Sequence, residues 1–144
     1  MPASEVPPKG AHNLENVLAA ACVGRLVGVE KHRIRRAVQE FKAVEHRLEF
    51  VANIQGVEYY NDSKATNVDA TIKALESFPS GIHIILGGKD KGSDYSVLSP
   101  LLKQRARRVY TIGAAAEKIT EQIQGACEIV SAETLEAAVR RAAE

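Results

Sequence analysis

The sequence predicts an α/β fold, namely a Rossmann-like, mostly parallel sheet with an antiparallel edge hairpin, preceded by a short helical pair. From residue 82 onward, short apolar runs alternate with segments of helical periodicity. Strands that alternate with helices imply a parallel sheet covered on both faces. Two runs rich in β-branched and aromatic residues flank Gln55-Gly56, which is typical of a tight hairpin.

The helical pair comes first. Residues 1–10 contain three prolines and are predicted to be an extended or disordered lead-in. Apolar residues then recur at steps of three and four over residues 14–26, which predicts a helix that Gly24 and Gly28 loosen and end. A second helix is predicted over residues 31–41, with one apolar stripe and a basic opposite face.

The hairpin strands are predicted over residues 48–54 and 57–60, and the hairpin is expected at an edge of the sheet. The elements predicted after it are a helix (68–77), a strand (82–86), a helix (95–104), a strand (108–112), a helix (114–124), a strand (128–130) and a helix (135–143). The last helix lacks a stop signal, and a parallel sheet that ends on a crossover helix usually adds another strand. We therefore expect a truncated domain.

Composition excludes some classes of function. The 144 residues are 45% hydrophobic and 26% charged, which is ordinary for a globular protein. Lys and Arg (19) nearly balance Asp and Glu (18), which gives no support for nucleic-acid binding. No apolar run approaches the ~20 residues that cross a bilayer, so we expect no membrane partner and a cytoplasmic location. Cys22 and Cys127 match no metal or redox spacing and are predicted to be buried free thiols.

Polar segments follow the predicted strands, where ligands bind in open parallel sheets. Residues 61–67 offer a carboxylate, a cation, hydroxyls and amides just before a helix, and residues 87–94 combine glycines with two lysines. The first segment could equally be a capping loop with solvated charge. Arg47 could reach a phosphate, and Asn13 and Asn16 could cap or flank the first helix. Spacing alone indicates an anion-binding α/β domain, without a catalytic triad or a metal cluster.

Taken in order, four segments resemble the motifs of the Mur ligases. Residues 61–67 also resemble the branch of that family that adds D-glutamate, since the other branches carry different strings at this loop. The resemblance extends from about Gly10 to the last residue. The four segments are residues 10–16 (G-x-H-N-x-x-N), 46–49 (H-R-x-E), 61–67 (N-D-S-K-A-T-N) and 87–91 (G-G-x-x-K).

The resemblance implies a three-domain, ATP-dependent acid–amino-acid ligase of peptidoglycan synthesis. Such an enzyme joins D-glutamate to UDP-N-acetylmuramoyl-L-alanine through an acyl phosphate and releases ADP and phosphate. Residues 1–45 would be the end of the central ATPase domain, with the helical pair and a linker. Residues 46–144 would be a truncated C-terminal Rossmann-like ligase domain.

The resemblance also implies roles for particular residues in binding the nucleotide. Asn13 and Asn16 would hold the adenine, and Asp62 would hydrogen-bond the ribose of ADP. Arg47 would reach the γ-phosphate, in an electrostatic rather than a proton-transfer role. Arg47, together with Lys64 from residues 61–67, is a candidate catalytic residue.

The amino-acid substrate would be held by Lys64, Thr66 and Lys91. Lys64 and Thr66 would face phosphate and the carboxylate of D-glutamate. Lys91 would bind the α-carboxylate of the same amino acid. These assignments require Lys64 and Lys91 to share one rim of the sheet.

Several parts of the family's machinery are not found in this sequence. It contains no G-K-[ST] phosphate loop, and the magnesium ligands, the carbamylated lysine and the final pocket segment of the family lie outside it. We therefore expect this chain to be inactive alone, with ATP and Mg²⁺ as cofactors of the full-length enzyme. The alternative is a non-catalytic α/β module that binds an anion or a nucleotide. A folylpolyglutamate-type ligase is a third interpretation, which residues 61–67 argue against.

Overall fold

The computed structural model describes residues 10–42 and 44–144 together with Pro2 and Val6, and excludes the side chains of Ala11 and His12. Most of the predicted lead-in therefore lies outside the described residues. The chain divides into two compact units, Met1–Ala65 and Thr66–Glu144, and each is described by itself. The predicted domain boundary between residues 45 and 46 falls within the first unit and stays a prediction.

The first unit contains two helices and a hairpin, and the second unit alternates helices with strands. The elements of the first unit are α1 (Ala11–Leu26), α2 (Lys31–Glu40), β1 (Glu49–Ile54) and β2 (Val57–Asn61). Those of the second are α3 (Val68–Glu76), β3 (Ile82–Gly87), a 3-10 turn (Ser96–Leu98), α4 (Ser99–Arg105), β4 (Ala106–Ile112), α5 (Ala116–Gln122), β5 (Glu128–Glu133) and α6 (Leu135–Ala143).

Gly24 lies inside α1 and does not end the helix, contrary to the sequence prediction. A Cβ atom at Gly24 would lie 3.3 Å from Cδ1 of Ile34, so the glycine lets α2 approach α1 closely. The helix instead ends at Leu26, before Gly28, whose φ of 87° favours glycine. The cysteine prediction is wrong for Cys22, which is exposed. Leu18 and Leu26, each four residues from Cys22 on α1, are also exposed, because this face of α1 is not covered within the unit.

The hairpin forms as predicted. Ile54 is paired with Val57 across the turn, and Gln55 and Gly56 both have positive φ, at 54° and 86°. Two left-handed residues in succession are the signature of a type I′ turn, which matches the twist of the flanking strands. Among the described residues, β1 and β2 form a two-stranded sheet of their own, not an edge of the parallel sheet. The turn residues specify only the local pairing, so they could not indicate this.

The second unit is built on a parallel three-stranded sheet with β4 in the centre, in the order β3-β4-β5. Val109 and Tyr110 are both fully buried in β4 and point to opposite faces, because successive residues of a strand alternate. Val109 belongs to a core cluster that includes Leu75, Leu102 and Ile119 from the helices α3, α4 and α5. Tyr110 packs with Ala132 and Ala138 on the face covered by α6. The predicted α/β class is confirmed.

Helix α6 is fastened to the sheet through Tyr110. The phenol hydroxyl donates to the carbonyl oxygen of Arg141 at 3.1 Å and lies 3.2 Å from Nδ1 of His83. Since the single hydroxyl proton goes to the carbonyl, the His83 ring must donate from Nδ1. Burial lowers the pKa of His83, and Arg108 and Arg107 lower it further. A neutral imidazole is therefore favoured beside Tyr110.

Replacing Leu102 by Ala should destabilise the second unit strongly, because its side chain is fully buried in the larger core cluster. We expect a loss of about 2–5 kcal/mol in the free energy of unfolding, measured by urea denaturation of this chain. Leu135→Ala is the matched control, because Leu135 is 59% exposed. Equal losses for the two variants would contradict the described core.

Candidate functional site

The two helices of the first unit and the segment that follows them line a cavity of about 540 Å³ that is open to solvent. Its wall is mostly apolar, with Ile34, Val38 and Phe41 among the lining residues. The exceptions are two amides, Asn13 and Asn16, and two guanidinium groups, Arg33 and Arg47. A largely apolar cavity of ~300–1,000 Å³ with a few converging polar groups is typical of small-molecule sites.

Three of the residues predicted from the sequence thus line one cavity. Asn13 and Asn16 are three residues apart on α1 and so share a face of the helix. Their amides can donate and accept hydrogen bonds at the edge of a flat heterocycle. Arg47 adds a cation suited to phosphate oxygens. The cavity therefore combines amide groups with the cations Arg33 and Arg47 on an apolar wall.

Arg47 lies between two residues with an unusual backbone conformation. His46 has a φ of 63° and Leu48 a φ of 42°, which places two non-glycine residues in the left-handed region. Each such residue costs on the order of 1–3 kcal/mol and persists only where the surroundings enforce it. The direction in which the chain presents Arg47 is therefore specified by the contacts of its two neighbours.

Those contacts come mainly from the loop after β2, which contains Asp62 and Lys64. The carboxylate of Asp62 accepts a hydrogen bond from the backbone N–H of Leu48 at 3.0 Å, and the N–H of Lys64 donates to the carbonyl of His46 at 2.9 Å. In addition, the N–H of His46 donates to the carboxylate of Glu49 at 2.9 Å. Asp62 and Lys64 thus hold the backbone on either side of Arg47. The sequence did not predict these contacts.

Thr66 and Lys91 belong to the second unit. Thr66 is exposed and directly precedes Asn67, whose side chain caps α3 by accepting a hydrogen bond from the N–H of Ala70 at 2.8 Å. Lys91 is exposed in the loop that leaves the carboxyl end of β3. Lys91 thus lies beyond the carboxyl end of β3, whereas Thr66 lies just before α3, and the convergence of Lys64 with Lys91 stays a prediction.

The loop that carries Lys91 starts with a close backbone contact to β4. A Cβ atom at Gly87 would overlap the carbonyl oxygen of Ile112, so only glycine fits there. The N–H of Gly88 donates to that same oxygen at 3.2 Å, and the carbonyl of Gly88 accepts from the N–H of Ala115 at 3.0 Å. Gly113 also allows close packing here, since a Cβ atom there would lie 3.2 Å from the Gly88 nitrogen.

Two further findings bear on the kind of site. Within residues 10–42 and 44–144, no group of three or more His, Cys, Asp or Glu side chains is arranged to hold a metal ion. No helix in the same part of the chain has the length and apolar character needed to cross a membrane.

Comparison with known proteins gives a consistent result. The family model described as "Mur ligase, glutamate ligase domain" matches residues 46–144. A UDP-N-acetylmuramoylalanine–D-glutamate ligase of Koribacter versatilis is 64% identical over 144 residues, which are 100% of this chain and 32% of that protein. The ligase of the same name from Acidobacterium capsulatum is 63% identical over 142 residues, 99% of this chain and 31% of that protein. The chain thus spans about a third of the length of these relatives.

Solved structures of lower sequence identity share the fold. MurF from Acinetobacter baumannii has a TM-score of 0.75 and 17% identity, over 96% of this chain and 32% of that one. A pseudomurein peptide ligase type C from Methanothermus fervidus has a TM-score of 0.71 and 19% identity, over 93% of this chain and 30% of that one. At such identities the likeness extends to the fold alone.

Replacing Asp62 by Ala should release the backbone next to Arg47. The bond from the N–H of Leu48 to the Asp62 carboxylate would be lost. Because hydrogen bonds to charged groups contribute about 1.5–3 kcal/mol, we expect the Leu48 amide to exchange roughly 10- to 100-fold faster. Hydrogen exchange followed by NMR measures this. In Asp62→Asn an acceptor oxygen is kept, so the Leu48 amide should exchange more slowly than in Asp62→Ala. Ser63→Ala, at a neighbouring exposed residue, is the control. Unchanged exchange in Asp62→Ala would refute the anchoring role.

Proposed function

The chain belongs to the Mur ligase family, and we propose that it is part of an ATP-dependent ligase that adds D-glutamate to UDP-N-acetylmuramoyl-L-alanine in peptidoglycan synthesis. Residues 1–45 would end the central ATPase domain, and residues 46–144 would form the C-terminal ligase domain. The partners of the chain would be these substrates and the remaining domains of the same protein. The enzyme would act in the cytoplasm, where ATP is supplied.

The observation that carries this proposal is the cavity of the first unit, in which two amides and Arg47 meet on an apolar wall. Asn13 and Asn16 would hold the adenine edge, the apolar residues would cover its faces, and Asp62 would take the ribose. When bound, ATP supplies the phosphoryl group that activates the acceptor carboxylate. We expect the ligands of the accompanying Mg²⁺ to lie outside this chain.

Arg47 and Lys64 would act electrostatically. A guanidinium stays protonated at any physiological pH, so Arg47 can stabilise negative charge on phosphoryl oxygens but cannot serve as a base. The hydrogen bonds around His46 and Leu48 would fix its direction before the nucleotide arrives, which removes a reorganisation cost at the moment of reaction. Lys64 is exposed beside this segment and would add a second positive charge.

Thr66 and Lys91 would hold the amino acid that is added. Lys91 is exposed and pairs with no carboxylate among the described residues, so its charge is available to the α-carboxylate of D-glutamate. The hydroxyl of Thr66 would donate to a carboxylate oxygen. A ligase that handles an activated carboxylate also has to exclude water, and closure of neighbouring domains over the site would do so.

Titration of this chain with ADP tests the nucleotide site directly. We expect NMR shift changes concentrated on the residues that line the cavity. Asn16→Ala should weaken binding by roughly five- to tenfold, since one hydrogen bond contributes about 1 kcal/mol. Glu15→Ala is the matched control, because Glu15 is the neighbouring exposed residue of α1 and does not line the cavity. Shift changes that avoid the cavity would refute the assignment. ADP binding by a full-length protein that lacks ligase activity would favour the non-catalytic module.

Replacing Lys91 by Ala in the full-length protein should raise the KM for D-glutamate by about 10- to 100-fold, because a charge-assisted hydrogen bond to the substrate is lost. The KM for ATP should stay close to that of the wild type. Steady-state kinetics with a coupled assay for ADP release measures both. Lys89→Ala, an exposed lysine of the same loop, is the control. An unchanged KM for D-glutamate in the Lys91 variant would remove the substrate role of that residue.

A further inference from the structure

Helix α5 contacts the loop that carries Lys91 through a salt bridge. Nζ of Lys118, in α5, lies 3.2 and 3.3 Å from the two carboxylate oxygens of Asp90. The two residues are 28 positions apart in the sequence, so this contact connects the loop after β3 with the helix after β4. Asp90 is the residue directly before Lys91.

The same carboxylate also shapes the backbone on the other side of Lys91. Oδ1 of Asp90 accepts a hydrogen bond from the N–H of Gly92 at 3.0 Å, and Gly92 has a φ of 78°. Lys91 is thus the middle residue of a turn closed by Asp90. The hydrogen bond from Gly92 and the contact with Lys118 lower the pKa of Asp90, so the carboxylate stays ionised at neutral pH.

Helix α5 holds the far end of the same loop as well. Nζ of Lys118 lies 5.7 Å from the ring centroid of Tyr95, within the range of a cation–π contact. Gln122, four residues further along α5, accepts a hydrogen bond from the N–H of Tyr95 at 2.7 Å. Lys118 and Gln122 share one face of the helix, so a single rigid element fixes residues 90 and 95 together.

The contribution of this ion pair to folding stability should be small. The side chains of Lys118 and Asp90 are 32% and 35% exposed, and pairs that water reaches contribute about 0–1 kcal/mol. The effect on geometry is larger, because a misplacement of about 1 Å in a binding group can change a rate or an affinity by up to ~100-fold. A contact that adds little stability can therefore determine where Lys91 points.

We propose that Lys118 is a positioning residue for the amino-acid substrate: by holding Asp90 and Tyr95 against α5, it fixes the turn from which Lys91 reaches the substrate carboxylate. This inference rests on the proposed function of Lys91. Lys118 itself does not bind the substrate, because its ammonium group is already engaged by the Asp90 carboxylate.

The test uses steady-state kinetics of the full-length protein with variants of Lys118 and Asp90. Lys118→Ala should raise the KM for D-glutamate by about five- to tenfold and change kcat by less than about twofold, because the turn is loosened while the reacting groups remain. Lys118→Arg should restore the KM to within about twofold, since a guanidinium also bonds a carboxylate and stacks on an aromatic ring. Lys103→Ala, an exposed lysine of α4, is the control and should leave both constants unchanged.

Asp90→Asn is the more selective variant. An asparagine oxygen can still accept the bond from Gly92, so the turn is kept and only the charge facing Lys118 is lost. It should raise the KM for D-glutamate as Lys118→Ala does. The double variant should be no worse than either single one, because both remove the same interaction. Should Lys118→Ala fail to fold, Asp90→Asn alone decides the question.

The possible outcomes separate the two proposals. If Lys91→Ala raises the KM for D-glutamate while Lys118→Ala and Asp90→Asn do not, the positioning role is wrong and the role of Lys91 stands. If Lys118→Ala raises the KM for ATP to the same degree and lowers the melting temperature, the lysine supports the fold and the positioning role is also wrong. If Lys91→Ala leaves the KM for D-glutamate unchanged, the substrate role of Lys91 fails and the positioning role fails with it.

Discussion

The arrangement of the second unit depends on the carbonyl oxygen of Ile112, at the carboxyl end of the central strand. The N–H of Gly88 donates to this oxygen, and Gly87 lies so close to it that no side chain fits. The loop after β3 is therefore forced to leave the sheet directly beside the start of α5. The carboxyl ends of parallel strands lie at the same edge of a sheet. The contact at Ile112 fixes where the loop that carries Lys91 lies at that edge.

The first unit uses a different device for the same purpose. The residues on either side of Arg47 have left-handed backbone conformations, which are unfavourable for His and Leu. Hydrogen bonds with the loop after β2 offset that cost, so the direction of Arg47 is determined by residues far along the chain. None of the three cations proposed to meet a ligand, Arg47, Lys64 and Lys91, lies on a helix or in a core. All three are carried by short connecting segments, which is where binding groups are commonly found.

Local patterns predicted the local features, and features that depend on distant residues were missed. Periodicity placed the helices and strands, and Gln55-Gly56 identified the hairpin, because both signals come from residues close together in the sequence. The separate sheet of the hairpin, the exposure of Cys22 and the strain around Arg47 depend on tertiary contacts that no short pattern encodes. The candidate residues themselves came from ordered motifs and their resemblance to a family, which gives identity but no geometry.

The positions of individual charges matter more in this chain than its net charge. The net charge is only +1, so no general field attracts an anionic substrate. Within the loop after β3, the lysine contributed by α5 is neutralised by Asp90, whereas Lys91 projects from the turn that Asp90 closes. Lys118 is thus engaged by a carboxylate, and Lys91 is left exposed. The pairing neutralises one positive group close to Lys91, whereas Lys89 and Lys91 stay exposed in the same loop.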